Sequence, residues 1–269
     1  MIPWRLTSRT TSTSRAFQAV RARASASETS NDIAARRERI DALLGRLGYC
    51  ARARVNEFLK AHVVSIAGAR ALDGKTKALA RDVAVDGEEL DHANGILLVM
   101  HKPRGVVCSH DANEGATVYE ALPERWRKRS PGVETVGRLD KDTTGLLLFT
   151  DDGALNHALT SPKKDIGKWY RVRTSETIPT ACVEVFASGT LTLSGETKAC
   201  KPARCEIIAP NEARIELSEG KYHQVKRMFA VFKCTVVELH RESFGALSID
   251  GLKPGEYKTL PLDFNFGER

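Results

Sequence analysis

The sequence holds no Cys-x-x-Cys pair, although it contains six cysteines: Cys50, Cys108, Cys182, Cys200, Cys205 and Cys234. Metal and disulfide frameworks need regular, close spacing, so free thiols in a reducing compartment are expected and no metal. Cys200 and Cys205, the nearest pair, fit no ligand spacing, and the seven histidines include no His-x-x-x-His. Long apolar runs are missing too. The longest compact ones, Ile96–Met100 and Leu146–Phe149, fall far short of the roughly eighteen residues that a spanning helix needs, which argues against an integral membrane protein; no membrane partner is expected. Internal repeats are absent, which removes repeat arrays.

Acid is absent from residues 1–27, which carry five arginines (Arg5, Arg9, Arg15, Arg21, Arg23), no lysine and many serines and threonines; Glu28 is the first acid. That is the composition of an organelle transit peptide. Val20-Arg21-Ala22-Arg23-Ala24-Ser25 looks like a chloroplast-type processing site, with a mitochondrial address or a disordered RNA-binding tail as alternatives. This segment supplies most of the net charge of +7. A second basic region spans 36–81, where eleven Lys or Arg face four acids, and Asp82 to Asp91 offsets it. A local basic patch is what a polyanion feels through counterion release.

At 269 residues the chain suits two domains. After an N-cap at Asn31-Asp32, Ile33, Ile40, Leu43, Leu44 and Leu47 recur at helical spacing, and Gly48 can end the helix. A short helix is expected over 52–60, then strands at 63–66 and 83–85, the latter followed by an Asp86-Gly87 turn. A basic module over 36–91 results. A second domain opens near residue 93, where Asn94-Gly95 precedes a strand over 96–100 that Lys102-Pro103-Arg104-Gly105 breaks. Beyond it, helices are expected over 154–160, 179–187 and 222–232, the last with Tyr222, Val225, Phe229 and Phe232 along one face. Strands are expected over 168–174, 203–208, 213–217, 236–239 and 246–249. The whole reads as α+β.

The most informative segment is Gly137 to Gly153, Gly-Arg-Leu-Asp-Lys-Asp-Thr-Thr-Gly-Leu-Leu-Leu-Phe-Thr-Asp-Asp-Gly. A charged loop runs straight into an apolar strand with Asp140 at its mouth, and loops held by rigid sheet are where chemistry concentrates. Alone, Asp140 could equally bond its own backbone in a turn. Asp142 points another way whether the segment is extended or helical, so the two carboxylates make a poor acid and base pair. Asp142 and Thr143 are assigned to shaping the loop, and Asp151 and Asp152 to capping the next helix.

The Gly-Arg-Leu-Asp string, Lys168-Trp169-Tyr170-Arg171-Val172 and Glu219-Gly220-Lys221-Tyr222-His223-Gln224-Val225-Lys226-Arg227-Met228-Phe229 together resemble the motifs of the pseudouridine synthases. His223-Gln224 and Glu238-Leu239-His240-Arg241-Glu242 resemble the branch that modifies small-subunit rRNA. The likeness runs from about residue 39 to 262, with His101 standing where the family has Asn. It implies a catalytic domain over 93–269 with a mixed, mostly antiparallel sheet flanked by helices, preceded by a small α/β RNA-binding domain. Arg39-Ile40-Asp41, Leu47 to Arg52 and Val64 to Gly68 resemble the S-four-like RNA-binding domain, with Ala51 in place of Ser and Ala67 in place of Asp or Asn.

By that resemblance Asp140 is the catalytic carboxylate, Tyr170 lies against the target uracil, and Lys226 or Arg227 holds the acid ionised. Arg138 enters the space that the target base vacates. Arg46, Arg52, Arg54, Lys60, Lys168, Lys221, His223 and Gln224 are the remaining RNA-contact candidates. The reaction exchanges no electrons or groups, so no cofactor is implied. The expected partner of this monomer is 16S-type rRNA or a small ribosomal subunit precursor; a large-subunit rRNA target and a non-catalytic assembly factor are the alternatives. A glycosidase-like hydrolase would need a second carboxylate at a set separation, for which the sequence offers no clear candidate.

Overall fold

A computed structural model describes residues 36–267. The proposed transit peptide and the Asn31-Asp32 cap lie outside them. The N-terminal module consists of β1 (Arg37–Arg39), α1 (Ile40–Arg46), α2 (Val55–Ala61), β2 (Val64–Ile66), β3 (Ala69–Arg70), β4 (Lys77–Leu79), β5 (Val83–Val85) and β6 (Glu88–Glu89). Helix α1 starts later than the periodicity suggests, because Arg37–Arg39 is extended and pairs with β4. Its stripe Ile40, Leu43, Leu44 and Leu47 is completely buried and packs with Val55, Leu59, Val64 and Val83 into a core of its own. The expected hairpin is present: Asp86 and Gly87 take φ of 53° and 88° between β5 and β6.

The larger part comprises β7 (Leu97–Lys102), α3 (Glu124–Arg127), β8 (Glu134–Thr135), β9 (Thr144–Thr150), α4 (Gly153–Thr160), β10 (Lys168–Thr174), α5 (Ala181–Ser188), β11 (Arg204–Ala209), β12 (Glu212–Leu217), α6 (Gln224–Ala230), β13 (Val236–Arg241), β14 (Ser243–Phe244), β15 (Leu247–Ser248) and β16 (Tyr257–Thr259). Eight strands form one sheet in the order β11-β12-β10-β13-β9-β7-β16, with β8 also on β9. Only the β13–β9 pair is parallel. The sheet is therefore mixed and mostly antiparallel, as expected.

Side-chain pattern explains which strands lie at the centre. In β9, Leu147 and Phe149 join the core on one face while Leu146 and Leu148 join the core on the other. In β7, Leu98 and Met100 take the first face, Leu97 and Val99 the second. A strand covered on both sides has no polar face to show, hence the unbroken apolar runs. Strand β10 alternates instead: Tyr170, Val172 and Thr174 are buried, Arg171 and Arg173 exposed. Its covered face is the one on which α5 and α6 pack through Cys182, Phe186, Val225, Met228 and Phe229.

The two parts touch closely. Asp91 accepts hydrogen bonds from Arg125 Nη2 at 2.5 Å and Trp126 Nε1 at 2.7 Å. Arg129 Nε donates to Asp151 Oδ2 at 2.9 Å and its Nη2 to the His92 carbonyl at 2.9 Å. Gly48 takes φ of +79°, and a Cβ there would collide with the Arg125 carbonyl oxygen. The glycine that ends α1 therefore also admits the second domain's backbone.

Candidate active site

The Asp140 loop connects β8 to the central strand β9 and is held from several directions. Leu139 is buried in the helix-covered core, and its N–H donates to Cys108 Sγ at 3.5 Å. Thr143 N–H donates to the Asp140 carbonyl at 3.1 Å, closing a turn, and Gly105 N–H donates to the Lys141 carbonyl at 2.8 Å. Gly145, at φ +107°, is the second residue of β9, where a Cβ would strike the Arg241 carbonyl oxygen of β13. Beneath the loop lies Lys102, fully buried, whose ammonium donates to the carbonyls of Thr143 (2.8 Å), Pro103 (3.2 Å) and Lys141 (3.4 Å). Burial lowers its pKa, against the pull of Cys108, Asp142 and Asp140. Burial likewise raises that of the adjacent Cys108 thiol.

Helix α6 supplies the facing wall. Gln224, Val225, Met228 and Phe229 are buried and fix the helix, so Lys226 projects from its other side. The Lys226 Nζ donates to Asp140 Oδ2 at 2.8 Å and to Asp142 Oδ1 at 2.6 Å. Burial works against the ammonium, but its bonds and charge contacts with the two carboxylates raise its pKa overall. For Asp142 burial likewise opposes ionisation and Lys226 outweighs it, lowering the carboxyl's pKa. His223 caps α6 with a left-handed backbone, φ 47°, and its Nε2 lies 3.4 Å from Asp140 Oδ1.

This cluster corrects the sequence reading at one point and settles an alternative that it left open at another. Asp140 and Asp142 do not diverge, because the tight turn bends both carboxylates onto one ammonium. Arg227 is not the partner of Asp140. Its guanidinium donates to Glu196 at 3.0 Å, to the Tyr222 carbonyl at 3.0 Å and to the Ser194 carbonyl.

Tyr170 is buried on the helix-covered face, in the same core cluster as Leu139 and Val225. It pairs with Arg241 across β10 and β13, and Arg241 pairs with Gly145 across β13 and β9. One row thus crosses three strands from Tyr170 to the foot of the Asp140 loop, about 10 Å at ordinary strand spacing.

The candidate RNA contacts divide. Arg52, Arg54, Lys60 and Arg138 are exposed; Lys60 and Arg138 make no hydrogen bond or ion pair among the described residues, while Arg54 pairs with Glu57 at 2.7 Å and Arg52 lies 3.6 Å from Asp41. Arg46 is occupied by Glu38 at 2.8 Å and the Ala93 carbonyl at 3.2 Å, so it bridges the two parts and is only partly exposed. Lys221 is turned to the Lys198 carbonyl at 2.5 Å and Glu196 at 3.5 Å. Gln224 is buried between Glu219 and the Lys221 N–H. Lys168 donates to the Ile166 carbonyl at 3.0 Å, sits 5.0 Å above the Phe244 ring, and is pushed down to about 8 by burial with Arg241 and Lys201 nearby. These last four belong to the scaffold.

Asp152 caps α4 as expected, its Oδ1 accepting from the Ala154 and Leu155 N–H groups, whereas Asp151 serves Ile96 N–H and Arg129. Sequence reasoning missed Lys102, whose three acceptors are carbonyls with no side-chain signature. It also misplaced Tyr222, which does not share a helix face with Val225 and Phe229 but precedes α6 and is 73% exposed.

A family profile described as RNA pseudouridylate synthase matches residues 96–231. The ribosomal small subunit pseudouridine synthase A of Escherichia coli (strain K12) is 39% identical over 227 residues, spanning 82% of this chain and 96% of its own length. That of Pasteurella multocida (strain Pm70) is 37% identical over 228 residues, with 84% and 97% covered. A crystal structure described as a pseudouridylate synthase superposes with a TM-score of 0.58 at 32% identity, over 83% of this chain and 96% of that one. Agreement of that length, taking in the loop, β10 and α6 together, makes the kinship plain: this chain belongs to the RNA pseudouridylate synthase family.

Proposed function

We propose that this protein converts one uridine of 16S-type small-subunit rRNA to pseudouridine, with Asp140 as the catalytic carboxylate. The observation that carries the reading is the Asp140–Lys226 contact of 2.8 Å at the mouth of the sheet's doubly covered central strand. Isomerisation breaks the bond from the ribose anomeric carbon to uracil N1, turns the base, and joins the same carbon to C5. The C5 proton departs and N1 ends protonated, so atoms balance without a cofactor. Asp140 attacks the anomeric carbon, removes a neighbouring ribose proton or adds to the ring; each route uses a carboxylate oxygen held in place, by Lys226 from one side and the Lys102-anchored turn from below. Tyr170 offers the extruded base an aromatic face, and its hydroxyl takes part in removing the C5 proton. The substrate class is supported by the names of the relatives that this chain matches over nearly their whole length.

The N-terminal module, read as S-four-like, adds affinity through Arg52, Arg54 and Lys60. Composition supports delivery to an organelle, a chloroplast before a mitochondrion, by residues 1–27; a fusion of this segment to a fluorescent protein that stayed in the cytosol would remove that element. The central test is Asp140→Asn, assayed for turnover and binding on one small-subunit transcript. Turnover should vanish while affinity stays within a few-fold, because base and phosphate contacts survive. Pseudouridine mapping of cellular rRNA with and without the protein decides the target, and a loss confined to large-subunit rRNA would overturn the substrate assignment.

A further inference from the structure

Tyr222 is the one fully exposed aromatic side chain among the described residues, 73% accessible, while every other Phe, Trp and Tyr is buried or partly so. It is also held still. Its ring lies on that of His223 with centroids 3.9 Å apart and planes 16° from parallel. Its carbonyl accepts from Arg227 Nη1 at 3.0 Å, and the preceding Lys221 N–H donates to Gln224 Oε1 at 2.8 Å. His223 adopts φ 47°, a conformation costly for a residue with a side chain. Burial is no compensation for Tyr222, so the strained turn holds an apolar ring in water beside the reaction centre.

The order of layers gives the ring its use. One face of Tyr222 is covered by His223, whose ring-edge Nε2 lies 3.4 Å from Asp140 Oδ1. The other face is open. A base laid on it would be separated by the Tyr222 ring, at about 3.5–4 Å per stacked layer, from the imidazole that contacts the carboxylate. That is too far for the reacting uracil and near enough for its neighbour in the strand. Exposed Arg138, two residues before Asp140 and without a hydrogen bond or ion pair among the described residues, is available to a phosphate.

We propose that Tyr222 is the stacking platform for the RNA base adjacent to the target uridine, completing a base–Tyr222–His223 stack that holds the strand while the uridine is extruded. This rests on the reading of the site as an RNA uridine isomerase. Base–aromatic stacking tolerates any base but requires a ring, so the dependence is on aromaticity and not on the phenolic hydroxyl.

The test uses the full-length enzyme and a small-subunit transcript whose modified uridine has been mapped. Tyr222→Ala should lower kcat/KM about 10- to 100-fold, with a melting curve like that of the wild type, since the ring is not packed in a core. Tyr222→Phe and Tyr222→Trp should restore most of the activity. An abasic site at one of the two positions flanking the target should reduce the wild type by the same factor and reduce Tyr222→Ala no further. The proposal is overturned if Ala is within twofold of wild type, if Phe and Trp fail to rescue, or if the abasic and Ala losses multiply in full at both positions. An inactive wild type would instead strike at the isomerase reading itself.

Discussion

Replacing Lys168 with Met separates two accounts of that residue. The sequence suggests a cation that contacts RNA; the structure encloses it between the Ile166 carbonyl and the Phe244 ring, and burial pushes it from 10.5 down to about 8. The gap between those values, at about 1.4 kcal/mol per pH unit, corresponds to roughly 3 kcal/mol. Between about pH 8 and 10.5 the unfolded chain keeps a proton that the folded one has lost, so the stability of the wild type rises with pH through that window. Below pH 8 both forms are charged and the whole cost is borne. Met matches the stem, removes the charge, and forfeits one hydrogen bond of about 1 kcal/mol. The variant should therefore be more stable by about 2 kcal/mol at pH 7, an advantage that disappears by pH 10.5, with RNA affinity unchanged within twofold. Urea unfolding of both proteins from pH 7 to 10.5 reads the difference, in which other titrating groups cancel. A variant that is less stable at pH 7, or that binds RNA tenfold more weakly, refutes the burial argument.

Other substitutions probe the site. Lys226→Ala should reduce turnover at least tenfold more than Arg227→Ala, because only Lys226 reaches Asp140, and single-turnover kinetics compare them. Lys102→Met strips three carbonyls of their donor and should cost about 1–3 kcal/mol by denaturant titration, with a fall in kcat; full activity and stability would show that the loop holds itself. Changing Arg52, Arg54 and Lys60 together to Gln should flatten the plot of log affinity against log salt by up to about 2, at roughly 0.7 per phosphate contact. An unchanged slope would take α2 and the preceding turn out of the RNA interface.

The scaffold was legible where burial leaves a periodic trace. The unbroken runs of β7 and β9 and the alternation of β10 follow from two covered faces in one case and one in the other. Asp140 and Tyr170 were singled out by motif, but the row of paired residues that joins β10 to the foot of the Asp140 loop was not visible in the sequence. Lys226 and Arg227 could not be separated, since the choice depends on where α6 begins. That start is set by the left-handed backbone of His223, which no periodicity announces, and it moved Tyr222 off the helix and into solvent. Charge was the poorest guide. Arg46, Lys168 and Lys221 look like surface cations in one dimension, yet each meets a carbonyl or carboxylate distant in sequence or hidden by a fold the composition does not reveal.

Strand β9 belongs to both hydrophobic cores, and Asp140 hangs from its end. An enzyme built this way has no spare hinge beneath its reactive group: loosening the acid's foundation means loosening the entire sheet. Accommodation of an RNA strand must then fall to exposed side chains at the rim, Arg138 among them, while the central beam stays rigid.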